Sequence, residues 1–229
     1  GCDFHCGYCQ NWLTSQALRD PDAVAPPTDI TPHQMVGLAS KHNAKVVATT
    51  YNEPLITSEW AVEVFKVAKP AGFKCAYISN GNGTPEVIEY LQPWVDLYKV
   101  DLKSFRDKNY RELGGVLSNV LETIGSLHQL GFGGEIVTLT IPGFNDSNEE
   151  LRDIAQFLVG VSADNHVTQQ VPHRQGGDVA RLVTGVAEAN ALGPGVCAYP
   201  HQREVALPES AGGDCERRLE GHHTGARLD

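Results

Sequence analysis

Residues 45–82, KVVATTYNEPLITSEWAVEVFKVAKPAGFKCAYISNGN, decide the fold. The run 45–51 (KVVATTY) is rich in β-branched residues and predicts a strand. In 58–69 (SEWAVEVFKVAK) apolar residues return at helical spacing, and Pro70 with Gly72 ends the helix. KCAYIS at 74–79 predicts a second strand, closed by Asn80, Gly81, Asn82 and Gly83. Strand, helix and strand in this order form a βαβ unit, whose strands run parallel.

The pattern continues on both sides. Thr31 caps a helix over 32–42. Thr84 caps another, with Pro85 at its first position and Val87, Ile88 and Leu91 on one face. A strand is expected at 95–102 (VDLYKVDL), a helix at 119–130 ended by Gly131, and a strand at 135–141 (EIVTLTI) broken by Pro142 and Gly143. Ser147 caps a helix reaching Val159, with Glu149 and Glu150 near its positive dipole end. Further on, 166–171 predicts a strand, 179–190 a helix and 195–199 a last strand. Residues 1–200 form the core domain, and 201–229, without an apolar period, read as a weakly structured tail. The fold class is α/β. Right-handed crossovers curl such a sheet in one direction, and function gathers at the C-terminal ends of its strands.

A length of 229 residues suits one domain with a sizeable core. The net charge of −10 argues against a broad nucleic-acid footprint. No apolar run has the ~18 residues of a membrane span. Three of the six cysteines crowd into the first nine residues, while Cys75, Cys197 and Cys215 are scattered. A secreted disulfide framework spreads its cysteines differently, so the expectation is metal ligation in a reducing, cytoplasmic compartment. The chain begins at Gly1 without an initiator Met, and a strand leading into the cysteines is expected to be missing.

The opening GCDFHCGYCQN spaces Cys2, Cys6 and Cys9 as C-x3-C-x2-C. Such short loops wrap small iron–sulfur clusters. In a 4Fe–4S cluster, three cysteines leave one iron open to a chelating ligand. Two other readings stand beside this one: zinc, with His5 as a fourth ligand, and a disulfide with a spare thiol. His5 sits between Cys2 and Cys6, which makes tetrahedral closure awkward.

With Tyr8 as the aromatic before the third cysteine, the loop resembles the signature of the radical S-adenosylmethionine (SAM) superfamily. Further phrases follow in the order of that family: TYNEP at 50–54, ISNG at 78–81, VDLKSFRDKNYREL at 100–113 and IPGFNDSNEEL at 141–151. They resemble the group related to pyruvate formate-lyase activating enzymes, and within it the radical SAM members of the AmmeMemoRadiSam system. The resemblance implies a partial (β/α)6 TIM-like barrel with a 4Fe–4S cluster on Cys2, Cys6 and Cys9. It implies SAM contacts from Glu53, Asn80, Asp101 and Lys103, with Tyr8 packed near the cluster or adenine. It further implies an electron donor such as flavodoxin or ferredoxin, and a substrate that can be a protein. Strand alternation puts Asp101 and Lys103 on one side; an ordinary surface ion pair gives the same pattern. Tyr51 and Asn52 stand where the family has two glycines, and Gln169, Gln170 and Val171 where it has Arg, Phe and His. The family's C-terminal cysteine pair is not evident.

The activity implied is reductive SAM cleavage to a 5′-deoxyadenosyl radical, then hydrogen abstraction from a substrate. Activation of a glycyl radical enzyme is one version. A non-catalytic metal or electron-transfer module is the competing class, but it has no need of a long βα scaffold with polar strand ends.

Overall fold

The computed structural model describes residues 1–17, 19–22, 27–161, 167–172 and 179–184. A short helix α1 (Trp12–Ser15) follows the cysteine loop, and α2 (Pro32–Lys41) comes next. Thr31 and Gln34 cap α2 reciprocally, each side chain accepting from the other's backbone N–H. The βα succession then reads β1 (Val46–Thr49), α3 (Ser58–Ala68), β2 (Lys74–Ser79), α4 (Pro85–Leu91), β3 (Leu97–Asp101), α5 (Asp107–Leu113) and α6 (Leu117–Gln129). It closes with β4 (Gly133–Leu139), α7 (Asn148–Val161), β5 (Val167–Pro172) and β6 (Val179–Thr184).

Strands lie in sequence order. The pairs from β1 through β5 are parallel, and β6 runs antiparallel to β5. Among the described residues β1 and β6 are the edges, so the sheet is a partial barrel and not a closed one. Alternation sends Cys75, Tyr77 and Ser79 of β2, with Tyr98 and Val100 of β3, into the buried layer. The Tyr77 hydroxyl meets Ser58 of α3 at 3.0 Å, and its ring stacks on Tyr98 at 5.0 Å between centroids. Val62, Phe65, Ile88, Leu91, Val120, Ile124, Ile154 and Leu158 fill the core from the helices. The opposite side of the sheet carries Ala76, Ile78, Lys99 and Asp101, all partly exposed.

One expectation changes, and one helix stands where none was expected. The segment expected as a helix over 179–190 is strand β6 at Val179–Thr184. Its apolar spacing suits a helix, but Val179, Val183 and Thr184 are β-branched and the free edge of β5 offers a full ladder of backbone partners. Helix α5 has only two buried residues, Tyr110 and Leu113, which is too little periodicity to read in advance. The expected strand at 195–199 and the tail at 201–229 lie outside the described residues. Among the described residues, no helix is long and apolar enough to cross a membrane.

Candidate functional site

The cysteine loop lies across the C-terminal ends of the strands, and each stretch of it has a seat. Gly1 carbonyl accepts from Glu53 N, after β1, at 3.0 Å. Asp3 accepts from Asn80 Nδ2 at 2.7 Å and Asn82 Nδ2 at 2.9 Å, both just after β2. His5 N donates to Leu113 O at 2.9 Å, and Phe4 is buried against Tyr110 and Gly115. The turn between α5 and α6 is Gly114-Gly115 because these rings need the room. A Cβ on Gly114 would stand 2.5 Å from the His5 ring, and one on Gly115 would fall into the Phe4 ring. Tyr8 packs edge-on against Phe144, beyond β4, at 5.8 Å.

Cys2, Cys6 and Cys9 are partly buried and unpaired. Cys9 Sγ lies 3.4 Å from Ser15 Oγ, and Cys2 Sγ 3.8 Å from Asp3 Oδ1. Burial pushes the Cys2 thiol up to about 12, against a backbone hydrogen bond at Phe4, and the charges of Asp3 and Glu53 add to the rise. Burial also raises Cys6, opposed by the nearby Lys103 ammonium. A metal taking these sulfurs must therefore displace protons.

Glu53 is almost fully buried. Its carboxylate accepts from Ser79 Oγ at 2.7 Å, Asn80 N at 2.7 Å and Leu55 N at 3.0 Å. Burial still dominates and lifts its pKa to about 7. Asn80 is committed on both sides: its Nδ2 holds Asp3, and its Oδ1 accepts from Asn82 N at 2.8 Å. Asp101 sits between two ammonium groups, Lys99 at 2.7 Å and Lys103 at 3.1 Å. Burial works against the Asp101 charge, but Lys103 and Lys99 outweigh it and lower the pKa. Burial likewise opposes the Lys103 charge, and Asp101 and Cys6 reverse the balance and raise its pKa.

The structure thus brings Cys6, Tyr8, Asp101 and Lys103 into one neighbourhood, and Cys2 and Glu53 into another beside it. Sequence reasoning missed Lys99, although the same alternation that paired Asp101 with Lys103 reaches back to it. It also missed Asn145, which is wholly buried and ties the ends of β3 and β4. Its Nδ2 donates to Lys103 O at 2.7 Å and Leu139 O at 2.9 Å, and its Oδ1 accepts from Ile141 N at 2.6 Å. Tyr51 has φ +76° and a largely exposed ring, so the position that is glycine in the resembled family keeps a glycine-like backbone here.

Residues 1–158 match the model of the Radical SAM superfamily, and the chain belongs to that superfamily. An uncharacterised protein of Methanocaldococcus jannaschii is 32% identical over 158 residues, covering 69% of this chain and 46% of the relative. The 4-hydroxyphenylacetate decarboxylase activating enzyme of Clostridioides difficile is 29% identical over 110 residues, 46% of this chain and 34% of that enzyme. The chain therefore spans less than half the length of these relatives. Among solved structures, Streptococcus suis SuiB bound to S-adenosylmethionine superposes with a TM-score of 0.58 at 13% identity, over 77% of this chain and 40% of that one.

The protein is a radical SAM superfamily enzyme, and the cofactors of that superfamily are a 4Fe–4S cluster and SAM. The residues present fit them. Three unpaired thiols share one anchored loop, and each would hold a different iron. Among the described residues, no three His, Cys, Asp or Glu side chains gather as ligands of a single metal ion. Beside the thiols, the Tyr8 hydroxyl is buried next to Cys6 and Cys9.

Proposed function

We propose that the chain is the catalytic core of an enzyme that cleaves SAM reductively and passes the radical to a substrate hydrogen. Cys2, Cys6 and Cys9 hold the cluster. When bound, the reduced cluster supplies the electron that splits the sulfonium into methionine and the 5′-deoxyadenosyl radical that abstracts hydrogen. The observation that carries the reading is the seating of the cysteine loop beside Asp101 and Lys103 at the strand ends.

Asp101 is held ionised by its two lysines, and Lys103 would offer its ammonium to the methionyl carboxylate of a bound SAM. Glu53 Oε2 takes one internal hydrogen bond, leaving acceptor capacity for the methionyl ammonium, whose arrival would also restore the charge that burial suppresses. Asn80 shapes this rim and holds the loop. Tyr8, packed on Phe144 beside Cys6 and Cys9, would line the cluster or adenine and help exclude water.

A second reading narrows the substrate to a protein, as the activating-enzyme names of the curated relatives suggest. The AmmeMemoRadiSam assignment rests on the sequence phrases alone. We place the enzyme in the cytoplasm with a flavodoxin- or ferredoxin-type donor. Anaerobic reconstitution with iron and sulfide, then reductant and SAM, is expected to release 5′-deoxyadenosine and methionine in equal amounts. Stoichiometric zinc without iron–sulfur absorption would overturn the proposal.

A further inference from the structure

The carboxylate of Asp3 has no part in ligation or SAM binding as assigned above, yet it is tied to the end of β2 by two side-chain hydrogen bonds. Both its oxygens are occupied by amide donors, Asn80 Nδ2 at 2.7 Å on Oδ1 and Asn82 Nδ2 at 2.9 Å on Oδ2. The two amides are fixed in turn. Asn82 N donates to Asn80 Oδ1 at 2.8 Å, and Asn80 N donates to the buried Glu53 at 2.7 Å. Gly81, at φ +76° between them, makes the tight turn that points both carboxamides the same way. A Cβ there would meet Val100 at 2.7 Å, so the turn admits only glycine. The backbone of Asp3 is held as well, its carbonyl accepting from Arg19 at 3.3 Å.

We infer that Asp3 is a positioning residue that pins the cysteine loop to the end of β2 and holds a fixed negative charge beside the cluster, making the cluster a stronger reductant. The inference rests on the assignment of Cys2, Cys6 and Cys9 as ligands. Asp3 lies between two of them, with Oδ1 3.8 Å from Cys2 Sγ. Two neutral amides orient the carboxylate without cancelling its charge. Net charge and hydrogen bonding around the sulfurs set the potential of an iron–sulfur centre, and a fixed anion disfavours the arrival of an electron. The electron then leaves more readily, which is what splitting a sulfonium requires.

The test has two arms. In metal-free protein, hydrogen exchange of the amides in 2–9 should quicken by roughly tenfold or more in Asp3→Ala, which removes both amide–carboxylate hydrogen bonds, since one alone is worth about that much. Asn82→Ala should quicken the same amides, the double variant little more than Asp3→Ala alone, and strands β2 and β3 should stay protected in all. Unchanged exchange across 2–9 overturns the pin. In reconstituted protein, the midpoint potential of Asp3→Asn should move positive of wild type, and Asp3→Glu should return towards it. Equal potentials in wild type and Asp3→Asn overturn the electrostatic role. Wild-type protein that takes up no cluster overturns the ligand assignment instead, and the exchange arm still decides the pin.

Discussion

Replacing Glu53 by Gln isolates one buried charge. In the folded protein its carboxyl is raised from 4.5 to about 7, chiefly by burial, and opposed by hydrogen bonds from Asn80, Leu55 and Ser79. The unfolded chain releases this proton near pH 4.5, while the folded protein keeps it until about 7. The sign follows: the stabilising effect of the retained proton is complete below pH 4.5 and is lost as pH rises through about 7. At roughly 1.4 kcal/mol per tenfold in proton affinity, the loss amounts to about 3 kcal/mol. Gln does not titrate, and the other ionisable groups are common to both proteins. The stability difference, wild type minus Glu53→Gln, should therefore fall by about 3 kcal/mol between about pH 4 and about pH 8. Urea unfolding of both metal-free proteins across that range gives the difference directly. A difference that stays level would refute the claim that burial of the Glu53 carboxyl outweighs its three hydrogen bonds.

Gly115→Ala drives a methyl into the Phe4 ring and should lower stability by about 1–3 kcal/mol and unseat the cysteine loop, so that reconstituted iron falls. Gly125→Ala, in α6 with open space at its Cβ, should instead stabilise by roughly 0.5–1 kcal/mol, and thermal melts compare the two. Tyr51→Gly removes a left-handed tyrosine and should raise stability by up to about 1 kcal/mol; a fall in the melting temperature would show that its ring is held. Glu150→Ala strands the buried Ser104 hydroxyl and Phe105 N–H that its carboxylate accepts from, and denaturant unfolding should register a loss of about 3 kcal/mol.

The βα succession was legible because its strands are β-branched runs and its helices carry clear stops. Strand β4 shows where this fails. Gly133 and Gly134 look like a breaker, but Gly134 belongs to the strand because a Cβ would stand 2.5 Å from the Tyr98 carbonyl. In the site, the cysteine triad and the Asp101–Lys103 pair could be read from local spacing. The partners of Asp3, Asn145 and Glu150 could not, because they come from other strand ends. Glu150 stands in the first turn of α7 as a dipole-complementing acid would, and Ser147 does accept from its backbone N–H at 3.2 Å. Its carboxylate, however, turns to Ser104, on a segment far away in sequence. The hold of Asn80 on Asp3 was beyond local pattern for the same reason. Local pattern gives the residues, and tertiary pairing gives their tasks.

The central claim is that three cysteines, and not the fourth described one, carry the cofactor. The direct measurement is iron and sulfide per chain, with 5′-deoxyadenosine release, in Cys2→Ala, Cys6→Ala, Cys9→Ala and Cys75→Ala after identical anaerobic reconstitution. Cys75 is buried in β2 and serves as the control. The account predicts about four irons and SAM cleavage in wild type and Cys75→Ala, and neither in the three loop variants. A loop variant that keeps its full iron and cleaves SAM, or a Cys75→Ala protein that loses both, would contradict it.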